Sequence, residues 1–158
     1  DVMTLAKALG GGFPIGAMLV GERAADAMQF GAHGTTFGGN PLAAAVARVV
    51  LHKLSSPEIV ANVDRQSRAL RDGLAAIDQE LNLFSEVRGR GLMLGAVLSP
   101  DYAGRAGEIL DLAAAEGLLM LQAGPDVLRF VPALNIDDDE IADGLARLVR
   151  ALRVFAAA

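Results

Sequence analysis

The strongest constraint on the fold is a single apolar stripe in the middle of the chain. Ile59, Val63, Leu70, Leu74, Ile77 and Leu81 recur at intervals of four, seven, four, three and four. That spacing predicts one long amphipathic helix, with Asp64, Arg65, Arg68, Arg71 and Asp72 on its solvated face. Ser55-Ser56-Pro57-Glu58 supplies its start, with proline and an acidic residue in the first turn. A helix of this length can join two domains, and the sequence places a boundary within it, near residue 60.

Downstream, the pattern is that of a compact α/β unit. Leu83–Val87 and Leu92–Leu98 are strand candidates, separated by a turn or bulge at Arg88-Gly89-Arg90-Gly91. Pro100-Asp101 opens a helix expected to reach Glu116, with Gly117 as its stop. Leu118–Leu121 reads as a short buried strand. Gly124-Pro125-Asp126 is a turn signal, and Val127–Val131 is another strand. Asp137 and Glu140 form a capping-box start for a last helix, whose stripe is Ile141, Leu145, Leu148, Leu152 and Phe155.

Upstream, Val2, Met3 and Leu5 read as the end of a buried strand, and 15–20 as a second one. Residues 22–29 suit a short helix. Asn40-Pro41 starts a helix expected over 41–54, with Leu42, Val46, Val49 and Val50 on one side.

Composition narrows the function classes. The chain has 158 residues, 53% of them hydrophobic and 4% aromatic, with net charge −5. The acidic balance argues against a nucleic-acid or acidic-membrane partner. Without cysteine, and with only His33 and His52, no thiolate chemistry or metal site is expected. No apolar run reaches the roughly 18 residues of a membrane span, and no signal-peptide pattern is present. A cytoplasmic protein is the expectation. The chain opens in mid-element without an initiator methionine, as part of a longer protein would.

Three features carry chemistry. Lys7 lies between an apolar run and Gly10-Gly11-Gly12, where the backbone can approach a ligand closely. Arginine dominates the basic residues, and Lys7 and Lys53 are the only lysines. A buried lysine with a lowered pKa can attack a carbonyl, which arginine cannot do. The alternative is an ordinary strand-end lysine whose ammonium reaches water. The second feature is His33-Gly-Thr-Thr-Phe-Gly-Gly-Asn-Pro-Leu42. Thr35 and Thr36 put hydroxyls into a glycine-lined loop before a helix N-terminus, an arrangement suited to an anion or to a plain surface loop with a good cap. The third is Arg129, flanked by Leu128 and Phe130 in a strand and so pointing to the opposite face. It either meets solvent or clamps a carboxylate bidentately. Arg88 and Arg90 are weaker candidates for the same task.

The segments Thr4-Leu-Ala-Lys-Ala-Leu-Gly-Gly-Gly-Phe-Pro-Ile-Gly-Ala17 and His33–Ala43, in this order, resemble the class III pyridoxal-phosphate aminotransferases. Within them the chain is most similar to the acetylornithine/succinylornithine aminotransferases, a likeness that Phe84–Leu92 and Ala123–Leu134 extend. The resemblance implies a fold-type I α/β transferase: the tail of the large cofactor domain over 1–60 and the small C-terminal domain over 61–158. Lys7 would hold the cofactor pyridoxal phosphate as a Schiff base and shuttle the substrate proton. Thr36 would bind the cofactor phosphate of the neighbouring subunit in a homodimer with a shared active site. Thr35 would lie near the substrate, and Arg129 would bind its α-carboxylate. The reaction implied moves the terminal amino group of N-acetylornithine, or succinylornithine, to 2-oxoglutarate in arginine metabolism.

In such enzymes the carboxylate for the pyridine nitrogen, the turn that cups the phosphate and the aromatic residue stacked on the ring all precede the lysine. None lies in this chain, so the 158 residues alone are expected not to transaminate. Phe37 also stands where tyrosine is frequent. The competing readings are another class III ω-aminotransferase, acting on ornithine or 4-aminobutyrate, an aminomutase on the same scaffold, and a non-catalytic α/β interaction module.

Overall fold

The computed structural model describes residues 1–158. The chain divides into two compact units, Asp1–Ser56 and Pro57–Ala158.

In the first unit, β1 (Val2–Leu5) and β2 (Ala17–Val20) form an antiparallel ribbon in which Val2 faces Val20 and Leu5 faces Ala17. A 3-10 turn at Lys7–Gly10 follows β1, and Gly11 and Gly12 leave it with φ of 55° and 104°. The sequence suggested buried strands here. Instead Val2, Met3, Met18 and Leu19 are all about half exposed. The reason is architectural: the ribbon has only two strands, with no third strand beside it to extend the sheet.

The helix expected over 22–29 is shorter, α1 (Glu22–Ala25), and the chain then runs in turns as far as Gly39. Helix α2 (Pro41–Leu54) has the expected bounds. Its buried stripe is turned relative to the expected one. Ala43 and Ala47 are buried with Val46, Val50 and Leu54 partly so, while Leu42 and Val49 are 63% and 60% exposed. The stripe therefore follows the small residues, which let α2 approach the turn after β1: an added Cβ at Gly11 would lie 3.1 Å from Val50.

The second unit is built on a four-stranded, wholly antiparallel sheet of order β3-β4-β6-β5. Its strands are β3 (Phe84–Arg90), β4 (Met93–Leu98), β5 (Leu121–Gln122) and β6 (Val127–Phe130). Helices α3 (Pro57–Leu81), α4 (Ala106–Ala115) and α5 (Asp138–Ala156) supply the opposing layer. Along β4, Leu94, Ala96 and Leu98 are buried and Met93 is exposed, the period of two expected of a sheet with one covered face. Those residues meet Leu70, Leu74 and Ile77 of α3, Ile109 of α4, and Leu148, Leu152 and Phe155 of α5 in one core. The units part at Pro57, ahead of residue 60, because α3 runs unbroken from Pro57 and lays its stripe on this core.

Three local expectations give way. Arg88-Gly89-Arg90 continues β3, and the chain turns only at Gly91-Leu92, between the paired Arg90 and Met93. The bulge sits instead between Phe84 and Glu86. The helix expected over 100–116 is broken into a 3-10 turn (Pro100–Tyr102) and α4 by Gly104 at φ 81°. Around that break, the Asp126 carboxylate accepts from the Gly104 amide and the Pro125 carbonyl accepts from Ala106. Lastly, Leu118–Leu121 is no buried strand: Leu119 is 90% exposed and pairing begins only at Leu121.

Helix α5 begins as its sequence requires. The Asp137 carboxylate accepts from the Glu140 amide at 2.8 Å, and the Glu140 carboxylate accepts from the Asp137 amide at 3.1 Å.

Candidate active site

Lys7 is placed by a reversal of the backbone. Ala6 is extended, at φ −157°, and Lys7 then turns left-handed, at φ 52°. Left-handed backbone costs a residue with a Cβ roughly 1–2 kcal/mol, and glycines normally occupy such positions. The Leu9 amide, donating to the Ala6 carbonyl at 3.0 Å, closes the turn. The Lys7 side chain is exposed, not buried as the apolar flanks suggested, and it makes no ion pair or hydrogen bond in the chain. The strained φ is a site feature that residue types alone did not disclose.

The threonine loop borders a cleft of about 680 Å³ within the first unit. Phe13, Pro14, Ile15 and Gly16 form one side; Thr35, Phe37–Asn40 and the first turn of α2 form the other. Thr35 is thus in the cleft lining, while Thr36 and Lys7 are not part of it. Arg129 belongs to the other unit.

The first turn of α2 is closed by its own cap. Asn40 Oδ1 accepts from the Leu42 and Ala43 amides at 3.0 and 3.2 Å, the Asn40 carbonyl accepts from Ala44, and Pro41 has no N–H. The helix keeps no free donor in its first turn. The loop does. The hydroxyls of Thr35 and Thr36, and the amides of Thr36, Phe37 and Gly39, find no partner in the chain. Hydroxyls and amides without internal partners can receive an anionic group, and a free primary amine such as that of Lys7 can react with an aldehyde.

Arg129 lies in mid-β6, opposite Gly95 of β4 on one side and Leu121 of β5 on the other. It is exposed and engages no carboxylate in the chain. Gly95 puts no side chain beside its stem, and Arg88 occupies the far side of that glycine, two strands away, bound loosely to Glu86 at 3.6 Å. An unpaired guanidinium on an exposed sheet face can accept a carboxylate. Arg90 is likewise exposed and unpaired. No group of three or more metal-ligating side chains occurs, and no helix is long and apolar enough to cross a membrane.

A covered antiparallel sheet, a strained lysine among glycines and a donor-rich loop are the parts of an α/β transferase fragment. Residues 1–152 match the aminotransferase class-III family, and the chain belongs to that family. It is 71% identical over 157 residues to the acetylornithine aminotransferase of Xanthomonas campestris pv. campestris, covering 99% of this chain and 38% of that protein. It is 55% identical over 148 residues to the succinylornithine transaminase of Yersinia pseudotuberculosis, covering 94% and 36%. Among solved structures, the N-acetylornithine aminotransferase of Stenotrophomonas maltophilia superposes with a TM-score of 0.87 at 67% identity, over 99% of this chain and 40% of that one. The chain therefore spans less than half the length of these relatives.

Proposed function

We propose that the whole protein is a pyridoxal-phosphate-dependent aminotransferase. It moves the terminal amino group of N-acetylornithine, or of succinylornithine, to 2-oxoglutarate, giving the semialdehyde and glutamate. The observation that carries this reading, beside family membership, is Lys7: an unpaired primary amine in a left-handed turn between a strand and three glycines.

Pyridoxal phosphate, when bound, supplies an aldehyde for an amine to hold and a ring that draws electrons from the substrate carbon. The chain's residues supply part of the rest. Lys7 Nζ holds the group and carries the substrate proton. Thr36 donates to the phosphate held by the neighbouring subunit of a homodimer, and Thr35 lies towards the substrate. Arg129 binds the substrate α-carboxylate with its two-pronged guanidinium. In this reading the first unit, Asp1–Ser56, is the tail of the large cofactor domain and the second, Pro57–Ala158, the small domain. The enzyme works in the cytoplasm.

Borohydride reduction of the whole protein with pyridoxal phosphate, followed by peptide mapping, tests it. Lys7 is labelled and Lys53 is not; a folded protein with Lys7 unlabelled defeats the enzymatic reading and leaves an interaction module. Turnover with N-acetylornithine, succinylornithine, ornithine and 4-aminobutyrate, each supplied as sole amine donor, then fixes the substrate. Preference for either of the last two overturns the assignment within the family.

A further inference from the structure

We infer that Gly38 is a positioning residue: by having no side chain it leaves room for the Thr35 methyl, and so frees the Thr35 hydroxyl to turn to the ligand. The inference rests on the reading of Thr35 as a ligand-facing residue. Gly38 is not in the left-handed region, so its backbone does not require glycine. Space does. A Cβ at Gly38 would lie 2.5 Å from Thr35 Cγ2, 3.6 Å from the Thr35 carbonyl oxygen and 3.8 Å from Thr35 Cβ. The Thr35 methyl therefore packs into the place where a Gly38 side chain would be, and the hydroxyl points elsewhere. The Gly38 amide donates to the Thr35 carbonyl at 3.4 Å, closing the same turn, so the two residues cannot drift apart independently.

A threonine side chain is stiff about χ1, since two heavy atoms on Cβ leave few staggered choices. Filling position 38 drives the Thr35 methyl into another well, and the hydroxyl moves with it. Thr35 and Gly38 both line the 680 Å³ cleft, and the Thr35 hydroxyl has no partner in the chain. In that reading of Thr35, the partner is an anionic oxygen from outside: a cofactor phosphate or a substrate carboxylate.

Serine lacks the methyl but keeps the hydroxyl, so it separates the two roles. The test uses the whole protein carrying Gly38→Ala, Thr35→Ser, and both together. Crystals of Gly38→Ala should show Thr35 in a changed χ1 well. The same variant should weaken binding by roughly tenfold or more, as expected for losing a hydrogen bond to a charged group. If the partner is the phosphate, the loss appears in pyridoxal phosphate affinity. If it is a carboxylate, it appears in KM for the amine donor with kcat largely kept. The double variant should return to the level of Thr35→Ser alone. An unchanged Thr35 rotamer in Gly38→Ala, unaltered affinity and KM, or losses that simply multiply in the double variant each overturn the inference. Failure of the underlying functional reading shows separately, in a wild-type protein that takes up no pyridoxal phosphate.

Discussion

Alanine at Gly89 tests whether the β3–β4 hairpin has the register described. Gly89 sits within β3 at φ 123°, opposite Leu94. A Cβ there would run into the Met93 carbonyl oxygen and come within 3.0 Å of Leu94 Cα. Two costs follow. Forcing alanine into that backbone region costs about 1–3 kcal/mol. Overlap with main chain, which cannot rotate aside as a side chain would, costs about 1–3 kcal/mol more. Gly104 separates the two: its φ is 81°, but nothing lies within 4 Å of its Cβ position, so Gly104→Ala bears the first cost alone. A unit of this size is stable by roughly 5–15 kcal/mol, so the combined loss is a large fraction of it.

The Pro57–Ala158 unit contains a complete core and is expected to fold alone. Its unfolding can be followed at Tyr102, the sole tyrosine of the chain, whose ring lies 5.4 Å from that of Phe155. With a urea dependence of about 1–3 kcal/mol per molar, Gly89→Ala should lower the midpoint by about 1–3 M, and Gly104→Ala by distinctly less. A Gly89→Ala midpoint equal to or above that of Gly104→Ala refutes the register, because the clash would then be absent.

Three further outcomes are expected. Asp137→Ala removes the acceptor for the Glu140 amide and should destabilise the second unit by about 1 kcal/mol in the same assay. Glu80, Glu108 and Asp138 have carboxyl pKa values lowered chiefly by hydrogen bonds from Arg153, Arg105 and Gln66 respectively, with Arg65 adding to the last. Their contribution is therefore complete above the ordinary carboxylate range and lost as pH falls through the lowered values, so calorimetric Tm should drop below about pH 4, and drop less in high salt. Arg129→Lys in the whole protein should raise KM for carboxylate substrates about tenfold, by loss of a bidentate contact. It should leave Tm unchanged, since Arg129 has no partner in the chain.

Elements that rest on local chemistry were legible in the sequence. Asn40-Pro41 marks the start of α2, the Asp137/Glu140 pair starts α5, and the stripe from Ile59 to Leu81 outlines α3. Each depends on contacts within a few residues. Features set by distant parts of the chain were not legible. Nothing local says that Val2 and Met3 lie in a ribbon of two strands, or that Arg88 and Arg90 continue a strand because Gly95 and Met93 face them. Gly104 illustrates an intermediate case. It was present in the pattern read as a helix, and its left-handed φ, together with its hydrogen bond to Asp126 across the intervening helix α4, makes it a break.

The candidate residues stand out for a different reason. Many polar groups of this chain are committed internally: Asn40 to a cap, Asn62 to the carbonyls of Leu134 and Ile136, Asp126 to Gly104, and Arg71 to the carbonyls of Val87 and Gly89. Lys7, Thr35, Thr36 and Arg129 are left over. Being left over is not sufficient, because Arg48 and Arg68 are also unpaired and sit on solvated helix faces. The four share with Arg90, which lies between Gly89 and Gly91, backbone that can bring an outside group close. Lys7 is followed by three glycines, the threonines lie among Gly34, Gly38 and Gly39, and Arg129 stands beside Gly95. Unsatisfied polar chemistry next to glycine is a pattern visible in residue types alone, and it favours these positions as ligand contacts without reference to the fold. The geometry adds two things that residue types do not carry: the left-handed turn that aims Lys7, and the methyl of Thr35 resting where Gly38 has no side chain.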